Sequence, residues 1–276
     1  MKFVAIAIFA IKLSTSQQQE VLKARQVDPS SFIHVSEIVS QAPMAHEKAR
    51  GRHAPVAQQL AKLGPVATLP ILEKLSLDQP APVRRDLIEA VGLLADTRGV
   101  PVLKTILSDA SEDAETTRTT SEALARMGTD EAANHLVTTL DGAASNGERA
   151  RAIVSGMGEL RKVRVTQALA ARARSGDDAM VRVAARSLGR AGNAWAWKTL
   201  ADRREEAAIR EEAAKALVDA FVAHEGEARQ AASNALMVVD APSTPVLIAK
   251  ARGAASPATR AALDALTTRF ANNPTR

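Results

Sequence analysis

The sequence predicts an all-α protein, a right-handed α-solenoid of about seven two-helix units that becomes irregular near residues 217–240. Three observations carry this. Aromatic residues make up only 3% of the chain and Tyr is absent, while Ala is abundant. Such a composition suits close helix–helix contact through small side chains, and few residues beyond the first dozen favour strands. An apolar anchor recurs about every thirty residues, at Leu60, Val91, Leu124, Met157, Leu188, Leu217, Leu236 and Leu266. A period in that range is the mark of stacked helical units.

The third observation is that other columns fall into line with the anchor. Four residues earlier stand Val56, Leu87, Thr120, Ile153, Ala184, Ala213, Ala232 and Ala262. Three residues later stand Leu63, Leu94, Met127, Leu160, Ala191, Ala220 and Val239. These offsets share one face of a helix. A small residue precedes nearly every anchor, as at Ala90, Ala123, Gly156 and Ser187, and lets a neighbouring backbone come close. Gly64, Gly128 and Gly192 follow four residues after their anchors, where a helix end favours a residue tolerant of positive φ.

Taken in order, residues 1–16 open with Lys2 and an apolar run from Phe3 to Ile11, then Ser14-Thr15-Ser16. The pattern is that of a signal peptide, and the run is too short to span a bilayer, which takes about 20 residues. Export to the periplasm or beyond follows if the signal is genuine, and a cytoplasmic location otherwise. Residues 17–53 read as a linker or N-terminal cap with one or two short helices. Residues 54–271 hold the repeats. In each unit a second helix is marked by a Leu twelve positions after the anchor: Leu72, Leu103, Leu136, Leu169 and Leu200. Pro70, Pro101 and Pro245 lie near the start of such helices, where the missing N–H costs least. Only 19 residues separate Leu217 from Leu236. Either that unit lacks its second helix, or the segment from Glu227 serves as an unusual one. Residues 272–276 should fray.

The stretches "PVRRDLIEAVGLLADTRGVPVLKTIL" and "AMVRVAARSLGRAGN" resemble HEAT repeats of the bacterial kind, also called phycobilisome-lyase-like, and the resemblance runs from Ala54 to Phe270. It implies a stacked two-helix array whose second helices line a concave surface. It also implies that the arginines early in the first helices, such as Arg84, Arg118, Arg182, Arg210 and Arg229, join a ladder between neighbouring units. The family contains scaffolds, adaptors and a few enzymes, so the likeness speaks of fold more than of activity.

Catalytic motifs are scarce. There is no Cys, which excludes disulfides and thiolate chemistry. "HEKARGRH" lacks a second His one turn after His46, because Arg50 stands there, so His46 and His53 read as solvated side chains. "GMGELR" has Arg161 where a phosphate loop needs Gly, and it lies within a helix. No cofactor, metal site or catalytic residue is expected. The formal charge is +5, yet the stretch from Arg151 to Arg204 carries twelve basic and four acidic residues. Trp195 and Trp197 face roughly opposite sides of a helix, about 200° apart, so one belongs to the core and the other to the surface.

The resulting expectation is a non-enzymatic scaffold or adaptor that presents a concave, partly basic groove to an acidic protein or peptide. Its contact residues would be Lys104, Arg164, Gln167, Arg172, Trp195, Lys198 and Arg203. Nucleic acid or another polyanion bound by residues 151–204 is the alternative. A lyase or DNA glycosylase built on this fold is a more distant third.

Overall fold

The computed structural model describes residues 13–49, 55–145 and 147–273, which are helices and turns without strands. The apolar run from Phe3 to Ile11 and His53 lie outside the described residues. The chain forms two units that divide between Met127 and Gly128.

The first unit starts at a side-chain cap. Ser14 Oγ accepts from the Gln17 amide, and Gln17 Oε1 accepts from the Ser14 amide, which satisfies two donors that the helix start leaves open. Helix α1 (Thr15–Val27) follows, then the 21-residue α2 (Pro29–Ala49). Phe32, Val35, Val39 and Ala42 share the buried face of α2, at helical spacing. Both helices pack on the repeats that follow, and they are longer than the one or two short helices expected there.

Those repeats comprise α3 (Val56–Ala61), α4 (Thr68–Leu75), α5 (Ala81–Leu94), α6 (Val100–Ser108) and α7 (Ala114–Met127). First helices stack on first helices, α3 against α5 and α5 against α7, while α4 and α6 form a second layer. Leu72 and Leu103 are fully buried in that layer, and Leu60, Leu87, Val91 and Leu124 in the first. Each such side chain contributes about 1.5–3 kcal/mol on leaving water. The layers close tightly because Gly92 sits over the backbone of Ala123, where an added Cβ would lie 2.7 Å from the Ala123 Cα.

The second unit holds α8 (Asp130–Gly142), α9 (Glu148–Met157), α10 (Val163–Ser175), α11 (Asp178–Ala191), α12 (Ala194–Lys198), α13 (Glu206–Ala223), α14 (Gly226–Val239), α15 (Thr244–Ala254) and α16 (Pro257–Ala271). Here α11 packs on α9 and α14, while α13 packs on α10 and α15. Helix α13 is therefore a second-layer helix and α14 the next first-layer helix. Leu217 accordingly belongs to the second layer, not to the first-layer column in which its spacing places it. The unit that begins at α11 keeps its second helix, but an insertion, residues 193–205, delays it.

Two further expectations change with that insertion. Leu200 does not continue the buried Leu column: it lies just past the short α12 and is 36% exposed, whereas Leu136 and Leu169 are fully buried. Gly64 and Gly128 have the positive φ expected of them, +77° and +69°. Gly192 instead has φ −89°. Its lack of a side chain serves a close approach, since a Cβ there would lie 2.9 Å from a Val239 methyl. At the C-terminal end, Asn273 is buried and its side-chain amide donates to the Met237 carbonyl, so that residue is held; residues 274–276 lie outside the described ones.

Candidate ligand groove

The expected contact residues fall into both units. Lys104 lies on α6 of the first unit and the other six in the second. Arg164 and Gln167 are exposed on α10, and Arg164 donates to Asn134 Oδ1 at 2.8 Å. Arg172 reaches back to the end of α8, where it donates to the carbonyls of Leu140 (2.8 Å) and Ser145 (3.4 Å). Arg203 donates to Glu206 at 2.6 Å. Lys198 lies over the ring of Trp195, 5.7 Å from its centre.

The two tryptophans divide as their spacing requires. Trp195 is 64% exposed, while Trp197 is 2% exposed and packs with Ala191, Ile209 and Val163. The Trp197 indole donates to the Ala191 carbonyl at 2.9 Å, and the Arg161 guanidinium lies 6.0 Å from its ring centre. The end of the insertion then caps α10. No side chain of Lys162 does so, but Glu205 accepts from the Val163 amide at 2.7 Å. Lys162 meets Asp130 at 2.8 Å. Their hydrogen bond raises the ammonium above its ordinary value and holds the carboxyl below its own. Much of the basic stretch is therefore committed to internal bonds.

Within the same stretch, Arg186 is not committed in this way. Arg182, Arg186 and Arg190 occur one turn apart on α11 and line a groove of about 620 Å³ against α14. Gly189, Ala231, Ala235 and Val238 give the groove its apolar lining. A Cβ on Gly189 would lie 3.3 Å from the Ala235 Cβ, so the two helices nearly touch at this point. Arg190 donates to the Ser155 carbonyl at 2.7 Å and faces Glu159 at 3.8 Å. Arg182 pairs with Glu227 from the opposite helix. Arg186 is exposed and, among the described residues, has no carboxylate or carbonyl partner. Across from it, Asn234 Oδ1 accepts from Gln230 (2.9 Å) and Arg269 (2.8 Å), which leaves the Asn234 NH₂ to donate.

Sequence reasoning missed this groove, though a signal was present. The stretch "VRVAARSLGR" carries Arg at i, i+4 and i+8 on one face. That spacing exceeds what a single ladder position per unit requires.

A family model described as HEAT repeats matches residues 68–155. Residues 68–155 are HEAT repeats. HEAT repeats commonly mediate protein interactions. No curated protein matches the chain. Among solved structures, human deoxyhypusine hydroxylase in complex with glycerol is similar, with 17% identity and a TM-score of 0.36 over 87% of this chain and 97% of that one. The expectation of a purely non-enzymatic scaffold or adaptor does not stand, because the match at residues 68–155 speaks of fold, and one fold can carry binding or catalysis. The repeat architecture does not exclude catalysis.

Among the described residues, no three His, Asp or Glu side chains gather as metal ligands. His46 instead meets the buried Asp86 at 2.6 Å. No helix among them is long and apolar enough to cross a membrane.

Proposed function

We propose that the second unit binds a small organic anion, an acidic group carried on an apolar body, in the groove between α11 and α14. The observation that carries this is Arg186: a guanidinium without a carboxylate or carbonyl partner among the described residues, at a groove with an apolar floor. A guanidinium offers parallel N–H donors that match the two oxygens of a carboxylate or phosphate. The volume falls within the range of about 300–1,000 Å³ found for small-molecule sites. Ala231, Ala235 and Val238 would cover the ligand's apolar part, while Gln230 and Asn234 supply amides near its head.

The reading is tested by NMR titration of the full chain with hexanoate and with 1-hexanol, following arginine side-chain resonances. Hexanoate should bind with a Kd on the order of 0.1–1 mM and shift the Arg186 signal, while hexanol binds at least about tenfold more weakly. Arg186→Gln should weaken hexanoate by about tenfold. Equal affinity for acid and alcohol, or an unchanged Kd in the variant, would overturn the assignment.

A further inference from the structure

We infer that Glu227 is a resident competitor for the ligand, and that the groove consequently selects short diacids over monoacids. This rests on the anion-binding reading above and adds a ligand class and a control element to it. Arg182 and Arg186 stand one helical turn apart on α11, which places their side-chain origins about 6 Å from each other. They line the same groove but differ in occupancy. Glu227 already holds Arg182 from the facing helix, whereas Arg186 has no carboxylate among the described residues. The third arginine is taken, since Arg190 is bound to the Ser155 carbonyl and faces Glu159. A monoacid can therefore use Arg186 and leave the Arg182–Glu227 pair intact. A ligand with two acidic groups about one helical turn apart can use both arginines, provided that it displaces Glu227.

Two features make that displacement easy. The Glu227 side chain is 80% exposed and Arg182 is 38% exposed, and ion pairs this open to water are weak. Glu227 also stands in the first turn of α14, where the helix dipole stabilises a carboxylate. Once released, it is neither buried nor stranded in an unfavourable field. The pair thus tunes affinity by a few-fold and does not block the groove.

The experiment compares adipate with hexanoate, which have equal chain length and differ by one carboxylate, in NMR titrations of the full chain. The wild type should bind adipate more tightly. Glu227→Gln should raise adipate affinity about three- to fivefold and leave hexanoate within about twofold. Arg182→Gln should abolish the preference for adipate while hexanoate still binds. If Glu227→Gln strengthens both ligands equally, Glu227 acts only as a general negative charge and the competitor idea fails. If it weakens adipate or changes nothing while hexanoate still shifts Arg186, the competitor idea fails and the anion site stands. If neither acid binds the wild type, the anion site itself is lost.

Discussion

Arg210 stands on α13 and reaches the end of the next helix, where it donates to the carbonyls of Val239 (3.1 Å) and Asp240 (2.5 Å). Helix ends leave such carbonyls open and carry partial negative charge, so a guanidinium satisfies both demands. The same device recurs. Arg172 serves the end of α8, Arg190 reaches Ser155 near the end of α9, and Arg229 bonds the carbonyls of Phe221 (3.0 Å) and His224 (2.8 Å) at the end of α13. A charge concentrated in sequence is in this way partly spent as mortar between helices. Replacing Arg210 with Ala should destabilise the second unit by about 1–3 kcal/mol, because two carbonyls lose a charged donor. Arg210→Lys should recover little, since an ammonium lacks the fork that spans both oxygens. Urea unfolding of the three proteins checks this. A loss below about 0.5 kcal/mol for the alanine variant would mean that water replaces the guanidinium without cost.

At the scale of helices, the contact between α5 and α7 sets two effects of a single methyl group against each other. Gly92→Ala raises helix propensity by about 1 kcal/mol. It also places a Cβ 2.7 Å from the Ala123 Cα, a backbone atom that no rotamer change can move away. Overpacking of this kind costs about 1–3 kcal/mol, and the cost should win. The variant is expected to unfold at lower urea, and a higher midpoint would show that the two helices separate freely. The same close spacing explains what the sequence could and could not reveal. Leu72, Leu103, Leu136 and Leu169 were legible because a buried layer repeats a side chain at a fixed offset. Helix α13 is ambiguous in the sequence because an Ala-rich face with Ala213, Leu217 and Ala220 fits either layer equally well. Only the packing of α13 against α10 separates them. The groove was harder still, since its walls come from α11 and α14, with an insertion and a whole helix between them in the chain. Periodicity marks which residues are buried, but it does not say which exposed arginine lacks a partner.

At the scale of the whole chain, the principal helix contacts join elements of the same or the adjacent repeat. Stability in such an array is approximately a sum of unit terms and nearest-neighbour terms, so damage should stay local. Two substitutions probe this from different units. Gly92→Ala strikes the α5–α7 contact, and Trp197→Ala empties the space among Ala191, Ile209 and Val163 that the indole fills. The second should cost about 3–5 kcal/mol, as the loss of a buried Trp usually does. It also removes the donor to the Ala191 carbonyl at the end of α11. Native-state hydrogen exchange should then show faster exchange in α3 and α5–α7 for the first variant. For the second, it should show faster exchange in α10, α11 and α13. Each should leave the amides of the other unit at wild-type rates. If either substitution accelerates exchange evenly across all helices, the two units unfold as one body, and nearest-neighbour addition fails as an account of how this chain holds together.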